Sequence, residues 1–309
     1  MAFNFNHEPV LLKEVIGGLN LKKGSRVIDA TVGGAGHSSK ILEKLGEKGH
    51  LICLDQDKDA LKAAGVKLDK IDTKAKISVW HMNFADINDV CAGTKVDAIL
   101  ADIGVSSHQI DEPKRGFSYM NEGPLDMRMN QSAKLTASDV VNKYRKEELA
   151  RIIKEYGEEG FAKQIADNIV KARPIETTTQ LAKICEESVF GKYWKLYGHP
   201  AKKTFQAIRI EVNKELEILE KFIHDCVNIL KSKGRLAIIT FHSLEDRIVK
   251  QTFRHLEKEC TCPPKMPQCI CGHQRTVTVI TKKPIIPGQA EQERNPRSTS
   301  AKLRILEKI

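Results

Sequence analysis

Between Arg26 and Gly104 the chain alternates short β-rich runs with amphipathic stretches. "RVIDAT" (26–31), "HLICLD" (50–55), "KISVWHMNF" (76–84) and "VDAILADIG" (96–104) predict strands, while "SSKILEKLG" and "DKDALKAAGVKL" place apolar residues at helical spacing. Alternation of this kind predicts βαβ units, a mostly parallel sheet and right-handed crossovers. From about residue 108 to 203 the strand signal stops. "KEELARIIKEYGEE", "FAKQIADNIVKA" and "TTTQLAKICEESVF" predict amphipathic helices, with Pro174 and Gly191 as breakers. "KKTFQAIRIEVNKELEILEKFIHDCVNILKSKG" predicts one long helix, with room for a break, ending at Gly234. The α/β pattern then resumes with a strand over 235–241, the helix "SLEDRIVKQTFRHLE", and strands over 276–285 and 301–309. Ser243 and Asp246 have the N-cap and N3 spacing of an approximate capping box. The expected organisation is an α/β domain made of residues 1–107 and 204–309, interrupted by an all-helical, substrate-recognition insert over 108–203.

Composition narrows the class. The 309 residues are 41% hydrophobic and 29% charged, an ordinary globular balance. They contain no run of 18 apolar residues, and the N-terminal stretch lacks the basic and apolar regions of a secretory signal. A cytoplasmic protein is expected. The net charge of +10 favours polyanionic partners. Eight cysteines in such a chain argue against a disulfide framework. Cys53, Cys91, Cys185 and Cys226 sit in apolar settings and read as buried small hydrophobes. Cys260, Cys262, Cys269 and Cys271, in "CTCPPKMPQCICGH", read either as a tetrahedral zinc site or as a reduced loop. His273 is an alternative ligand there.

The candidate chemistry begins at "VIDATVGGAGHSS" (27–39). A dinucleotide loop needs G-x-G-x-x-G, and here Gly34-Ala35-Gly36 is followed by Ser39 where the third glycine belongs. The loop suits a ligand without pyrophosphate that bare backbone can approach closely, such as S-adenosylmethionine (SAM). Asp55 ends the second strand, where a carboxylate can accept from both ribose hydroxyls. Phe84 follows the third strand and could flank an adenine or pack in the core, with Asp86 capping the next helix. Asp102 ends the fourth. Ligands in open α/β sheets bind beyond the carboxyl ends of the strands, so Asp29, Asp55, Phe84 and Asp102 converge on one rim.

"HEPVLLKEV", "DATVGGAGHS", "DIGVSSHQID", "RGFS", "GPLDMRM", "YGEE", "HPAKKTFQAIRIEVN", "FHSLEDRIVK" and "NPRSTSAKLR", in this order, resemble the bacterial 16S ribosomal RNA cytosine-N4 methyltransferase family. The resemblance runs from His7 to Arg304. It implies a SAM-dependent methyltransferase, Rossmann-like α/β fold with an inserted helical domain. It also implies methylation of a cytidine N4 in the decoding region of 16S ribosomal RNA, tuning P-site decoding, with the assembled 30S subunit as partner. The cofactor contacts it implies fall on Gly34, Ala35, Gly36, His37, Asp55, Phe84, Asp102 and Gln109. Ala35 stands where the family commonly has Gly; Lys203 and Thr299 stand where many relatives have Arg.

The amine of cytosine is a poor nucleophile, so alignment and a hydrogen-bond acceptor are the needs. Asp102 can serve the methionine moiety or the target amine. His242 ends the fifth strand, as a base or phosphate contact or as a cap-adjacent structural residue, and His7 belongs to a segment that could close over the site. Lys202, Gln206, Arg209 and Asn213 share one helical face, opposite Phe205, Ile208, Val212 and Leu216. That polar face, together with Lys203, reads as an RNA grip or as a solvated surface. Arg294, Arg297, Lys302 and Arg304 suit phosphates, and Arg115, near Phe117 and Tyr119, an extruded base. Rival readings are an NAD-dependent oxidoreductase, an RNA-binding assembly factor with a SAM-like fold, and a methyltransferase for another nucleic-acid amine.

Overall fold

One sheet of seven strands carries the α/β part of the chain, in the order β3-β2-β1-β4-β5-β7-β6. The strands are β1 (Arg26–Asp29), β2 (His50–Asp55), β3 (Lys76–His81), β4 (Val96–Asp102), β5 (Leu230–Thr240), β6 (Val277–Val279) and β7 (Lys302–Lys308). The computed structural model describes residues 9–91, 93–189, 191, 198–263 and 268–309. His7 lies outside these described residues. β1 to β5 pair in parallel, and β7 runs antiparallel to both β5 and β6. The chain forms two compact units, residues 1–104 with 216–309, and residues 105–215.

Apolar residues on both faces of the central strands explain the sheet's position. Ile28, Ile52, Leu54, Ile99, Leu236 and Ile238 point to one side, where the helices Leu219–Ile229 and Ser243–Glu257 contribute Phe222, Ile223, Val249 and Phe253. Val27, Leu51, Cys53, Leu100, Ala237 and Ile239 point to the other, against Val15, Ile41, Leu42 and Ala64 from three helices. Burial on both faces is what near-continuous hydrophobic runs in a parallel sheet require. Cys53, Cys91, Cys185 and Cys226 are all buried thiols, as expected.

The stretch read as one long helix divides. The helix Pro200–Asn213 stops where Lys214 takes a left-handed conformation (φ 52°), with its amide on the Ile210 carbonyl. A second helix, Leu219–Ile229, leads straight into β5, which starts at Leu230 rather than 235. Val96 pairs with Leu230 and Ala98 with Arg235, so Lys231–Lys233 are left in an exposed bulge. β6 has three residues instead of the ten read from sequence; beyond it, Ile285 rejoins Leu303 through an isolated bridge.

Residues 105–215 contain six described helices: Ser107–Asp111, Ala137–Lys143, Lys146–Glu155, Ala162–Lys171, Thr178–Glu187 and Pro200–Asn213. Their apolar stripes meet in a core that includes Leu149, Ile152, Ile165, Ile169, Leu181, Phe205 and Ile208. Because Phe205, Ile208 and Val212 belong to this core, the helix Pro200–Asn213 lies wholly within the helical unit. Among the described residues no helix is long and apolar enough to cross a membrane.

Candidate functional site

The loop after β1 is held from both sides. On the β4 side, Ala30 N donates to Leu100 O at 2.8 Å, and the amide of Asp102 donates to Thr31 Oγ1 at 2.7 Å. On the β2 side, Val32 N donates to Leu54 O at 2.8 Å, and Gly33 N to Asp55 Oδ2 at 2.9 Å. The loop therefore spans the point where the sheet's connection order reverses, between β1 and β4, the place where open α/β sheets bind ligands. It ends in the helix Gly36–Leu45, whose N-cap, Ala35, has a left-handed backbone (φ 56°, ψ 33°) and no capping side chain. A Cβ on an L-residue in that conformation costs about 1–2 kcal/mol. Gly36 is favoured for a different reason: an added Cβ would lie 3.0 Å from Pro9 Cβ, a tight contact that Pro9 would have to yield to. Gly34 is half-buried in the same loop.

Three carboxylates end the strands around this loop. Asp29, 1% exposed, accepts the Ser38 hydroxyl at 2.7 Å. Burial raises its pKa to about 6, against the opposing effect of that bond. Asp55 accepts amides on both oxygens, from Gly33 and from Asp57 at 2.9 Å each, and burial raises it also to about 6. Asp102 is pushed furthest, to about 8, by burial first and then by the charges of Asp29 and Glu245. Its Oδ1 is buried with no hydrogen-bond partner among the described residues, and its Oδ2 lies 3.7 Å from His37 Nδ1. His37 is itself buried, with Nε2 2.9 Å from the Val10 carbonyl. A carbonyl only accepts, so Nε2 carries a proton and Nδ1 is the nitrogen that faces Asp102.

Beyond β3, Asn83 caps the short helix Phe84–Val90, taking the Ala85 amide at 2.9 Å and giving its own amide hydrogen to Gln56 Oε1 at 2.9 Å. The cap is thus Asn83 rather than Asp86, which is exposed inside that turn. Phe84 is 8% exposed and meets Phe222 edge-on at 4.8 Å, so it packs into the core at the rim. At the end of β5 His242, not Ser243, is the N-cap of the helix Ser243–Glu257. The fully buried Glu245 accepts the amides of Phe241 and His242 at 2.9 and 3.3 Å, and its other oxygen is 3.1 Å from His242 Nε2. His242 therefore takes the cap-adjacent role.

These oxygens fit a small cationic nucleoside better than a pyrophosphate. An orphan buried carboxylate oxygen is costly unless a donor arrives, and an ammonium is such a group. Asp55 keeps lone pairs beyond its two amides for ribose hydroxyls. Thr31, Ser38, Asn83 and Glu245 complete the arrangement and were not singled out from sequence. Their signal was only proximity to the strand ends in "DAT", "HSS", "NF" and "HSLED".

The residues read as RNA contacts divide differently. Arg115 is 2% exposed, and its Nη2 donates to the carbonyls of Arg128 and Met129 at 3.0 Å each. It braces that loop instead of offering a surface cation. Arg209 is paired bidentately with Glu215 at 2.8 and 3.0 Å. Gln206 donates to Tyr156 O, and Asn213 bridges Met127 O, Arg209 O and the Met129 amide. The polar face of this helix is thus an internal seam of the helical unit, and of those four residues only Lys202 is exposed. Lys203 donates to Glu158 O at 3.1 Å and lies 3.8 Å from Glu159. Arg304 is corrected as well: it is 4% exposed and grips Asp246 at 2.6 and 3.2 Å, with Lys302 on the same carboxylate. Arg294 and Arg297 are exposed. Gln109 is buried on the helix Ser107–Asp111, in a reciprocal capping box with Ser106. Cys260, Cys262, Cys269 and Cys271 gather their four sulfurs within 4.8 Å of one another.

Comparison with known proteins adds a consistent set of matches. The family model described as the MraW methylase family matches residues 4–309. A protein of Clostridium botulinum (strain Kyoto / Type A2) named ribosomal RNA small subunit methyltransferase H is 53% identical over 311 residues, covering 99% of each chain. Proteins of the same name from Ruminiclostridium cellulolyticum and Clostridioides difficile (strain 630) are 51% and 50% identical, again covering 99% of each chain.

Proposed function

The chain belongs to the MraW methylase family, and from that premise we propose that it is a SAM-dependent methyltransferase acting on the N4 amine of a cytidine in 16S ribosomal RNA. The observation that carries the cofactor half of this reading is the unpartnered, buried Oδ1 of Asp102 beside a glycine loop stitched to two strand ends. Relatives at 50–53% identity over 99% of the chain, named for small-subunit ribosomal RNA methylation, support the substrate half.

SAM supplies an electrophilic methyl group for in-line displacement by the amine. The protein's task is alignment, which can account for much of the rate in such a reaction. Asp102 holds the cationic amino-acid end of the cofactor, with its backbone fixed by Thr31 and Oδ2 facing His37. Asp55 accepts from the ribose, and its bond to Gly33 keeps the loop at a fixed height above the sheet. Phe84 closes the rim as an apolar wall for the adenine. The exposed cations Lys202 and Arg297 are candidates for phosphate contact. The net charge of +10 supports a polyanionic partner, and we place the reaction on the assembled 30S subunit in the cytoplasm.

The test is transfer of labelled methyl groups to 30S subunits lacking the modification, beside naked 16S RNA and fully modified subunits. Label on N4 of one cytidine in the unmodified subunits is expected. Tight SAM binding with no label on either RNA form would point to the non-enzymatic assembly factor, and NAD binding in place of SAM to the oxidoreductase.

A further inference from the structure

The loop between the helix Ser243–Glu257 and β6 takes no part in the cradle, yet it holds four of the chain's eight cysteines. Its sulfurs are arranged as a cluster, not as two pairs. Cys260 Sγ lies 3.6 Å from Cys269 and 3.7 Å from Cys271; Cys269 lies 3.9 Å from Cys262 and 3.5 Å from Cys271. All four fall within 4.8 Å of one another. A disulfide needs sulfurs at about 2.0 Å, and each bond would serve one pair only. A tetrahedral zinc ion with Zn–S bonds of about 2.3 Å sets its sulfurs roughly 3.8 Å apart, close to the 3.6, 3.7 and 3.9 Å found from one C-x-C pair to the other.

The backbone around the sulfurs is disposed for charged acceptors. The amides of Thr261, Cys262 and Ile270 lie 3.4 Å from the sulfurs of Cys271, Cys260 and Cys262, respectively. Such donors disperse the negative charge that four thiolates bring to a divalent ion. His273, the alternative ligand, is engaged elsewhere: Nε2 is 3.0 Å from His255 O, and the two rings stand 4.8 Å apart. Among the described residues of the segment there is little apolar burial to order it, since Cys260, Cys269 and Cys271 are exposed and Ile270 is 73% exposed.

We infer that Cys260, Cys262, Cys269 and Cys271 bind one Zn²⁺ as a closed structural site that fixes the loop between the helix Ser243–Glu257 and β6. Four protein ligands leave no open position for water, so the ion has a folding role and no catalytic one. On binding, four Zn–S bonds form, each thiol loses its proton to the buffer, and no electron is transferred.

The full-length chain, purified reduced after growth with zinc, tests this by elemental analysis. About one zinc per chain is expected. Cobalt titration of metal-stripped protein should give the thiolate-to-cobalt charge-transfer band of a tetrahedral sulfur site, with proton release. Cys260→Ser/Cys271→Ser should lose the band and weaken metal binding by more than about 100-fold, beyond the usual effect of losing an outer-shell partner. If that variant is poorly folded, protection of the four wild-type thiols from alkylation by zinc, reversed by chelator, gives the same answer. Reduced wild-type chain that takes up neither zinc nor cobalt would overturn the site, as would metal retained undiminished in the double variant. The readout involves neither RNA nor methyl transfer, so failure here leaves the methyltransferase reading standing.

Discussion

Asp55 accepts the amide of Gly33 at 2.9 Å, tying the end of β2 to the glycine loop that leaves β1. One carboxylate thus fixes the loop and remains available to a ribose. A hydrogen bond to a charged group contributes about 1.5–3 kcal/mol. Asp55→Ala should therefore weaken SAM binding by about 10- to 100-fold, measured by calorimetry. Asp55→Asn keeps an acceptor and should fall between. Wild-type affinity in both variants would remove Asp55 from the cofactor site.

Protonation of Asp102 gives SAM binding a pH dependence. Burial, Asp29 and Glu245 raise its pKa to about 8, so near neutral pH the carboxyl is mostly protonated. A cationic ligand favours the carboxylate, so binding releases a proton, and affinity should rise with pH until it levels above about 8. Stability of the cofactor-free chain should move oppositely: a raised carboxyl pKa contributes stability that is fully present below the unfolded value and lost as pH climbs through about 8. Calorimetry in buffers of different ionisation enthalpy reads the proton directly. Asp102→Asn should abolish its release; an unchanged proton count in that variant would assign the release to another group.

Thr31 anchors the backbone of Asp102 through a 2.7 Å bond from the Asp102 amide. Thr31→Val keeps the shape and leaves that amide without an acceptor, at a cost of about 1–3 kcal/mol. Thermal unfolding should shift down, and KM for SAM should rise more than kcat falls, because the displaced group is a binding carboxylate. A loss confined to kcat would argue that Asp102 serves the target amine.

The helix Pro200–Asn213 offers two cations with opposite expectations. Arg209 is paired with Glu215, whose side chain is 5% exposed, so Arg209→Ala strands a buried charge and should destabilise by about 3–5 kcal/mol. Exposed Lys202→Ala should leave thermal stability within about 0.5 kcal/mol, and any effect should appear as weaker RNA binding with a shallower salt dependence. A stable Arg209→Ala protein with weakened RNA binding would restore the surface reading of that helix.

The sheet was legible because periodicity and composition agreed. β1, β2 and β4 are apolar on both faces, and each is followed or ended by the acid that the rim uses. The bulge in β5 was not legible, since "KSKG" carries turn residues that end a helix as readily as they loop out of a strand. The position of the break at Lys214 was hidden too, because a left-handed lysine has no sequence mark of the kind glycine gives. Polar positions misled most. Helical spacing shows that Gln206, Arg209 and Asn213 share a side, but it cannot tell solvent from a seam of backbone carbonyls and a buried glutamate. Arg115 and Arg304 were opaque for the same reason: their partners, Met129 and Asp246, come from other elements.

The antiparallel placement of β7 sets an order of maturation. Among the described residues β6 pairs only with β7, and β5 lacks its second neighbour until residues 302–308 have left the ribosome. The helical unit is fully encoded by residue 215, so it can fold first during synthesis. Asp102, which ends β4, gains its β5 neighbour before β7 exists, while the far side of β5 waits for β7. A chain stalled short of β7 would carry the helices and the first four strands, with β5 as an open sheet edge.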